Sequence, residues 1–135
     1  MNTEPIIAQK DLRIITELLK NLNQKQFNKE IPKLSEELKR AKIVQEEKDF
    51  PADVIRINST FSFYFEQDKK QKEEQYTLVL PSQANLTERK ISIFSPLAIA
   101  LLGFKEGMAV DWTLPGGQKT IRITKVDNSQ IVIEQ

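Results

Sequence analysis

Apolar side chains recur in the first third of the chain at steps of three and four. Leu12, Ile15, Leu19 and Leu22 form one row, and Ile31, Leu34, Leu38 and Ala41 form a second. Each row is a narrow stripe, the seam expected of paired helices. Between them lies Asn23-Gln24-Lys25-Gln26-Phe27-Asn28-Lys29-Glu30, polar and rich in asparagine. Pro32 fits the first turn of the second helix, where a missing N–H costs nothing. The pattern predicts an antiparallel helical hairpin within residues 1–50, each helix of about twelve residues and about 18 Å of rise. The narrow seam favours an arm that projects at least in part, over helices laid flat on a sheet.

Residues 45–53 form a junction, with Pro51 disfavouring helix at Phe50. From Val54 onward the period changes to two. Phe61, Phe63 and Phe65 alternate with Ser62, Tyr64 and Glu66; Val110, Trp112 and Leu114 alternate with Asp111 and Thr113; Ile121 and Ile123 alternate with Arg122 and Thr124. These are strands with one buried face, and Ile131 and Ile133 suggest a last one. Pro115-Gly116-Gly117 and Asp127-Asn128-Ser129 supply turns, and Gln67 to Gln75 reads as a polar loop. The fold class is α+β: a helical hairpin over 1–50, then a twisted, mostly antiparallel β-sheet domain over 51–135 with one short helix.

That short helix lies in Ile91 to Met108, ISIFSPLAIALLGFKEGM. Ser95 suits an N-cap, Pro96 the first helical position and Gly103 the left-handed residue that closes the helix. Leu97, Ala98, Ile99, Ala100, Leu101 and Leu102 leave it no polar side. A core position explains most of these residues but not easily all six on a domain of this size. An apolar flank left over for a partner is therefore expected.

Charge narrows the possible functions. The chain has 135 residues with 20 Lys or Arg, 19 Asp or Glu, and a net charge of +1. Residues 1–50 carry ten cations and nine anions, the remainder ten of each, so no basic surface marks it as a DNA clamp and no sequence-specific DNA binding is expected. It has no cysteine and no histidine. Thiolate nucleophiles, disulfides and the usual neutral-pH base are thereby excluded, and no cofactor is expected. No secretory signal and no run of about 20 apolar residues is present, so a cytoplasmic location without a membrane is expected. There is no P-loop, and Gly116-Gly117 reads as a hairpin turn. Glu36-Glu37, Glu46-Glu47 and Glu73-Glu74 read as solvated pairs, since adjacent helical residues point about 100° apart. Phe27 is a lone aromatic in the polar segment, either folded back as a plug or held out as an anchor for a partner.

Several strings together resemble a known family. Ile57-Asn58-Ser59-Thr60, Tyr76-Thr77-Leu78-Val79, Ile91-Ser92, Ser95-Pro96-Leu97, Ala100-Leu101-Leu102-Gly103, Gly107 and Leu114-Pro115-Gly116-Gly117 are similar to the C-terminal domain of the bacterial Gre transcript-cleavage factors and their short-armed relative Rnk, the regulator of nucleoside diphosphate kinase. They cover residues 51–126. The resemblance implies an FKBP-like fold and a partner, RNA polymerase, met at the rim of its secondary channel. It implies that Ser95, Pro96 and Leu97 take part in docking. Met108, which replaces the family's usual aspartate, leaves an apolar side chain beside the helix end. Asn58 replaces a usual glycine. Gre arms carry acids at the tip that help hold a magnesium ion; here Lys25 and Lys29 accompany Glu30, and the arm is short. The expectation is a non-enzymatic transcription regulator that does not stimulate cleavage. The alternatives are a cleavage-stimulating Gre factor and an FKBP-like prolyl isomerase.

Overall fold

The computed structural model describes residues 4–25, 27–114 and 116–131. A short strand β1 (Ile6–Ala8) runs directly into helix α1 (Gln9–Lys20). Helix α2 (Ile31–Arg40) follows, with Pro32 in its first turn, and leads to strand β2 (Lys42–Val44). β1 and β2 pair in parallel, Ile6 opposite Lys42, so both ends of the helical excursion start from one place.

The rest is a curled five-stranded sheet. Its strands are β3 (Thr60–Phe65), β4 (Glu74–Val79), β5 (Lys90–Ser92), β6 (Ala109–Leu114) and β7 (Gly117–Asp127), in the order β5-β4-β3-β7-β6. Every neighbouring pair is antiparallel except β4 with β5. The alternation in β3 and β7 buries Phe61, Phe63, Ile121 and Ile123, while Ser62 and Thr124 face outward. The expected loop 67–75 is shorter than its polarity suggested, because Glu74 and Gln75 pair with Phe63 and Ser62. The expected last strand is not found at Ile131, and Ile133 lies outside the described residues. The β6–β7 turn keeps its expected place, although Pro115 also lies outside them.

Helix α3 (Pro96–Leu101) covers the inner face of the sheet. Ser95 Oγ accepts from the Ala98 N–H at 3.4 Å, and Gly103 takes φ +86°. That glycine is required by space as well as by φ: a Cβ there would stand 2.5 Å from Pro5 Cβ. Ile55 C=O accepts from Gly103 N–H at 2.8 Å, and Gly103 C=O accepts from Ile6 N–H at 2.9 Å, tying β1 to the end of α3.

Two expectations change here. Ala98, Ile99, Leu101 and Leu102 are all buried, so α3 keeps no broad apolar flank. The reason is that α2 and β1 cover the side of α3 that the sheet leaves open. The helical seam residues Ile15, Ile31 and Leu34 are buried in the same hydrophobic cluster as the sheet, with Leu12, Leu19, Leu22 and Leu38 packed at its edge. The seam therefore serves the common core, and α1 and α2 lie against the β-rich part.

Candidate docking surface

Two residue groups far apart in sequence come together at the start of α3. Asn28, in the segment between α1 and α2, donates from Nδ2 to Phe94 C=O at 2.8 Å. Its Oδ1 accepts from Glu30 N–H at 2.8 Å, which orients the amide. The next residue after Phe94 is Ser95, whose hydroxyl donates to Ser92 C=O at 2.7 Å. The inter-helix segment is thus pinned beside Ser95 and Pro96 rather than held away from the sheet.

Each expected residue has a definite place. Pro96 is exposed, while Ser95 and Leu97 are half-buried, Leu97 against the core. Lys25 and Lys29 are exposed, and Glu30 is half-buried with its carboxylate 3.2 Å from Lys33 Nζ. Phe27 is 58% exposed, so it is not a plug folded onto the hairpin. Met108 is half-buried in the turn before β6, where its sulfur accepts from Lys105 N–H at 3.4 Å. It takes no part in the contacts that join Asn28 to Phe94.

Leu86 escaped sequence reasoning. It is 75% exposed and shares a shallow groove of about 280 Å³ with Ile91 and Ser95. Its signal was a single leucine inside the polar stretch 82–89. Phe27 and Leu86 are the exposed large apolar residues among the described ones; Phe27 precedes the Asn28 that bonds to Phe94, and Leu86 lines the groove that reaches Ser95.

A buried ion pair fixes the start of α1 against the segment before β3. Asp11 and Arg56 are 3% and 5% exposed. Arg56 donates to both Asp11 oxygens, at 2.9 and 3.2 Å, and to Glu47 Oε2 at 3.1 Å. Asp11 Oδ2 also accepts from Ile57 N–H at 3.2 Å. The guanidinium lies 4.6 Å from the Phe50 ring centroid. Burial alone would lower the Arg56 pKa, but hydrogen bonds and charge from Asp11 and Glu47 raise it above the ordinary value. Neither Asp11 nor Arg56 stood out in the sequence, where single charges read as surface. Among the described residues, no group of three or more Asp or Glu could hold a metal ion, and no helix is long and apolar enough to cross a membrane.

The profile of the family described as transcription elongation factor, GreA/GreB, C-term, matches residues 50–128, which include β3–β7, α3 and Arg56. The chain belongs to the GreA/GreB family. The transcription elongation factor GreA of Nitrobacter hamburgensis is 37% identical over 97 residues, 72% of this chain and 60% of the relative. The regulator of nucleoside diphosphate kinase of Escherichia coli is 34% identical over 87 residues, 64% of this chain and 62% of the relative. The matched region therefore spans about three fifths of these relatives. A solved structure, the prokaryotic transcription elongation factor GreA/GreB from Nitrosomonas europaea, aligns with a TM-score of 0.73 and 31% identity. That alignment covers 93% of this chain and 99% of the other, so the likeness of fold includes the helical part.

Proposed function

We propose that this protein is a non-enzymatic regulator of transcription that binds RNA polymerase at the rim of its secondary channel without stimulating transcript cleavage. The segment between α1 and α2 carries this reading. Delivering a magnesium ion requires several carboxylate oxygens gathered at one point. This segment presents exposed Lys25 and Lys29, and its one carboxylate, Glu30, is already bonded to Lys33. Asn28 ties the segment to Phe94, close to the sheet. The likeness to the Escherichia coli regulator of nucleoside diphosphate kinase supports the same branch of the family.

In this reading Ser95, Pro96 and Leu97 form the docking face, Phe27 and Leu86 widen it, and Met108 extends its apolar character past α3. Residues 1–50 act as a short helical unit laid against residues 51–135, an FKBP-like domain, which the curled sheet wrapped on α3 supports. The protein works where the polymerase is, in the cytoplasm. Occupancy of the channel mouth is enough to compete with longer-armed factors, because competition needs only a shared surface.

A second reading, a cleavage-stimulating factor, is favoured by the identity to GreA of Nitrobacter hamburgensis. One pair of experiments decides. Immobilised protein should capture core RNA polymerase, and a Gre factor should displace it. Phe27→Ala with Pro96→Ala should weaken capture about tenfold, a hot-spot effect, with an unchanged circular dichroism spectrum. Transcripts in backtracked complexes should keep their length. Shortened transcripts would establish the second reading, and absence of capture would overturn both.

A further inference from the structure

Strand β6 ends the five-stranded sheet, so one side of its backbone meets no other strand among the described residues. Met108 C=O accepts from Ile123 N–H at 2.9 Å, which fixes the alternation along the β6–β7 ladder. Even-numbered residues of β6 exchange hydrogen bonds with β7, and Ala109 and Thr113 turn their N–H and C=O groups to the open side. Both residues are exposed.

A groove of about 160 Å³ runs beside this edge, between β6, α3 and α2. Phe104 and Trp112 give it an apolar floor. Its rim is acidic: Glu30, Glu36, Glu37 and Asp111 line it, and Lys33 is the sole cation among the lining residues. Lys33 is itself held by Glu30 at 3.2 Å, and Glu37 accepts two bonds of 2.9 Å from Arg40, which lies outside the lining. The charge of this edge differs from that of the chain as a whole, which is close to neutral.

We propose that the β6 edge binds an extended, lysine- or arginine-bearing segment of a partner protein as an added strand. The segment's backbone would continue the ladder at Ala109 and Thr113. The stem of a basic side chain would lie along Phe104 and Trp112, with its charge against Glu36. Charge complementarity selects this occupant. A second copy of the chain would bring two acidic rims together, and nucleic acid phosphates would meet the same repulsion. The inference does not depend on the polymerase reading, since it uses another edge of the sheet.

Trp112 is the chain's one tryptophan, so fluorescence of the full-length protein reports on this groove. The probe is a capped synthetic peptide of alternating lysine and valine, compared with one of alternating glutamate and valine. The lysine peptide should give a saturable change in emission that weakens with added salt, and the glutamate peptide none. Glu36→Lys should weaken binding about tenfold. Thr113→Pro removes an open-side N–H and should abolish it, in protein shown by circular dichroism to be folded. Equal responses to the two peptides, no response at millimolar peptide, or unchanged binding by both variants would overturn the proposal. So would sedimentation of a dimer that Thr113→Pro dissociates, which would give the edge to a second copy.

Discussion

The sheet and the helical pair are held by different chemistry. In the sheet, Phe61, Phe63, Ile121 and Ile123 are buried side by side, and the backbone ladders run from β5 to β6. The helices also bury apolar residues, Ile15, Ile31 and Leu34, but two polar contacts set where they lie. One joins Asp11 to Arg56, and the other joins Asn28 to Phe94. Apolar burial has no direction, whereas a two-pronged ion pair does. Burial explains why the helices fold onto the sheet, and the polar contacts explain the position they take.

Three substitutions break this contrast at different depths. Asp11→Ala leaves Arg56 buried with only Glu47 as an anionic partner, and should cost about 3 kcal/mol in denaturant unfolding. Hydrogen exchange should show α1 losing protection before β3 and β7 do; simultaneous loss throughout would show that the helices and sheet form one cooperative unit. Gly103→Ala forces a Cβ against Pro5 at a left-handed φ, and should cost about 2 kcal/mol. Its thermal midpoint should fall with the far-UV spectrum unchanged at low temperature, and an unchanged midpoint would mean β1 yields freely. Asn28→Ala removes one part-buried hydrogen bond and should cost about 1 kcal/mol. Here limited proteolysis is the sharper readout: cleavage within residues 21–30 should quicken while the sheet stays intact.

The same contrast governs what could be read in advance. Strands β3, β6 and β7 were legible because period-two alternation is local to each. The start and stop of α3 were legible because Ser95, Pro96 and Gly103 each answer a local demand of the backbone. β1 and β2 were missed because each has three residues, too few to display a period, although Ile6-Ile7 and Ile43-Val44 are β-branched. The Asp11–Arg56 pair was missed because its partners are 45 positions apart and neither is unusual alone. The expected leftover flank on α3 is absent because α2, which lies outside the β-rich part, supplies additional cover. Asn58 shows a departure whose cause is local. It stands at φ +77°, a conformation asparagine tolerates better than most residues and one that suits the glycine the resemblance implies at this position.

The side-by-side alignment of β1 with β2 has a consequence for how such proteins can diverge. With Ile6 opposite Lys42, the chain departs and returns through adjacent doors. Equal insertions in α1 and α2 would lengthen the excursion by whole turns while its footing stayed put, at the cost of releasing Asn28 from Phe94. Reach is thus a dial that evolution could turn almost independently of the platform beneath it.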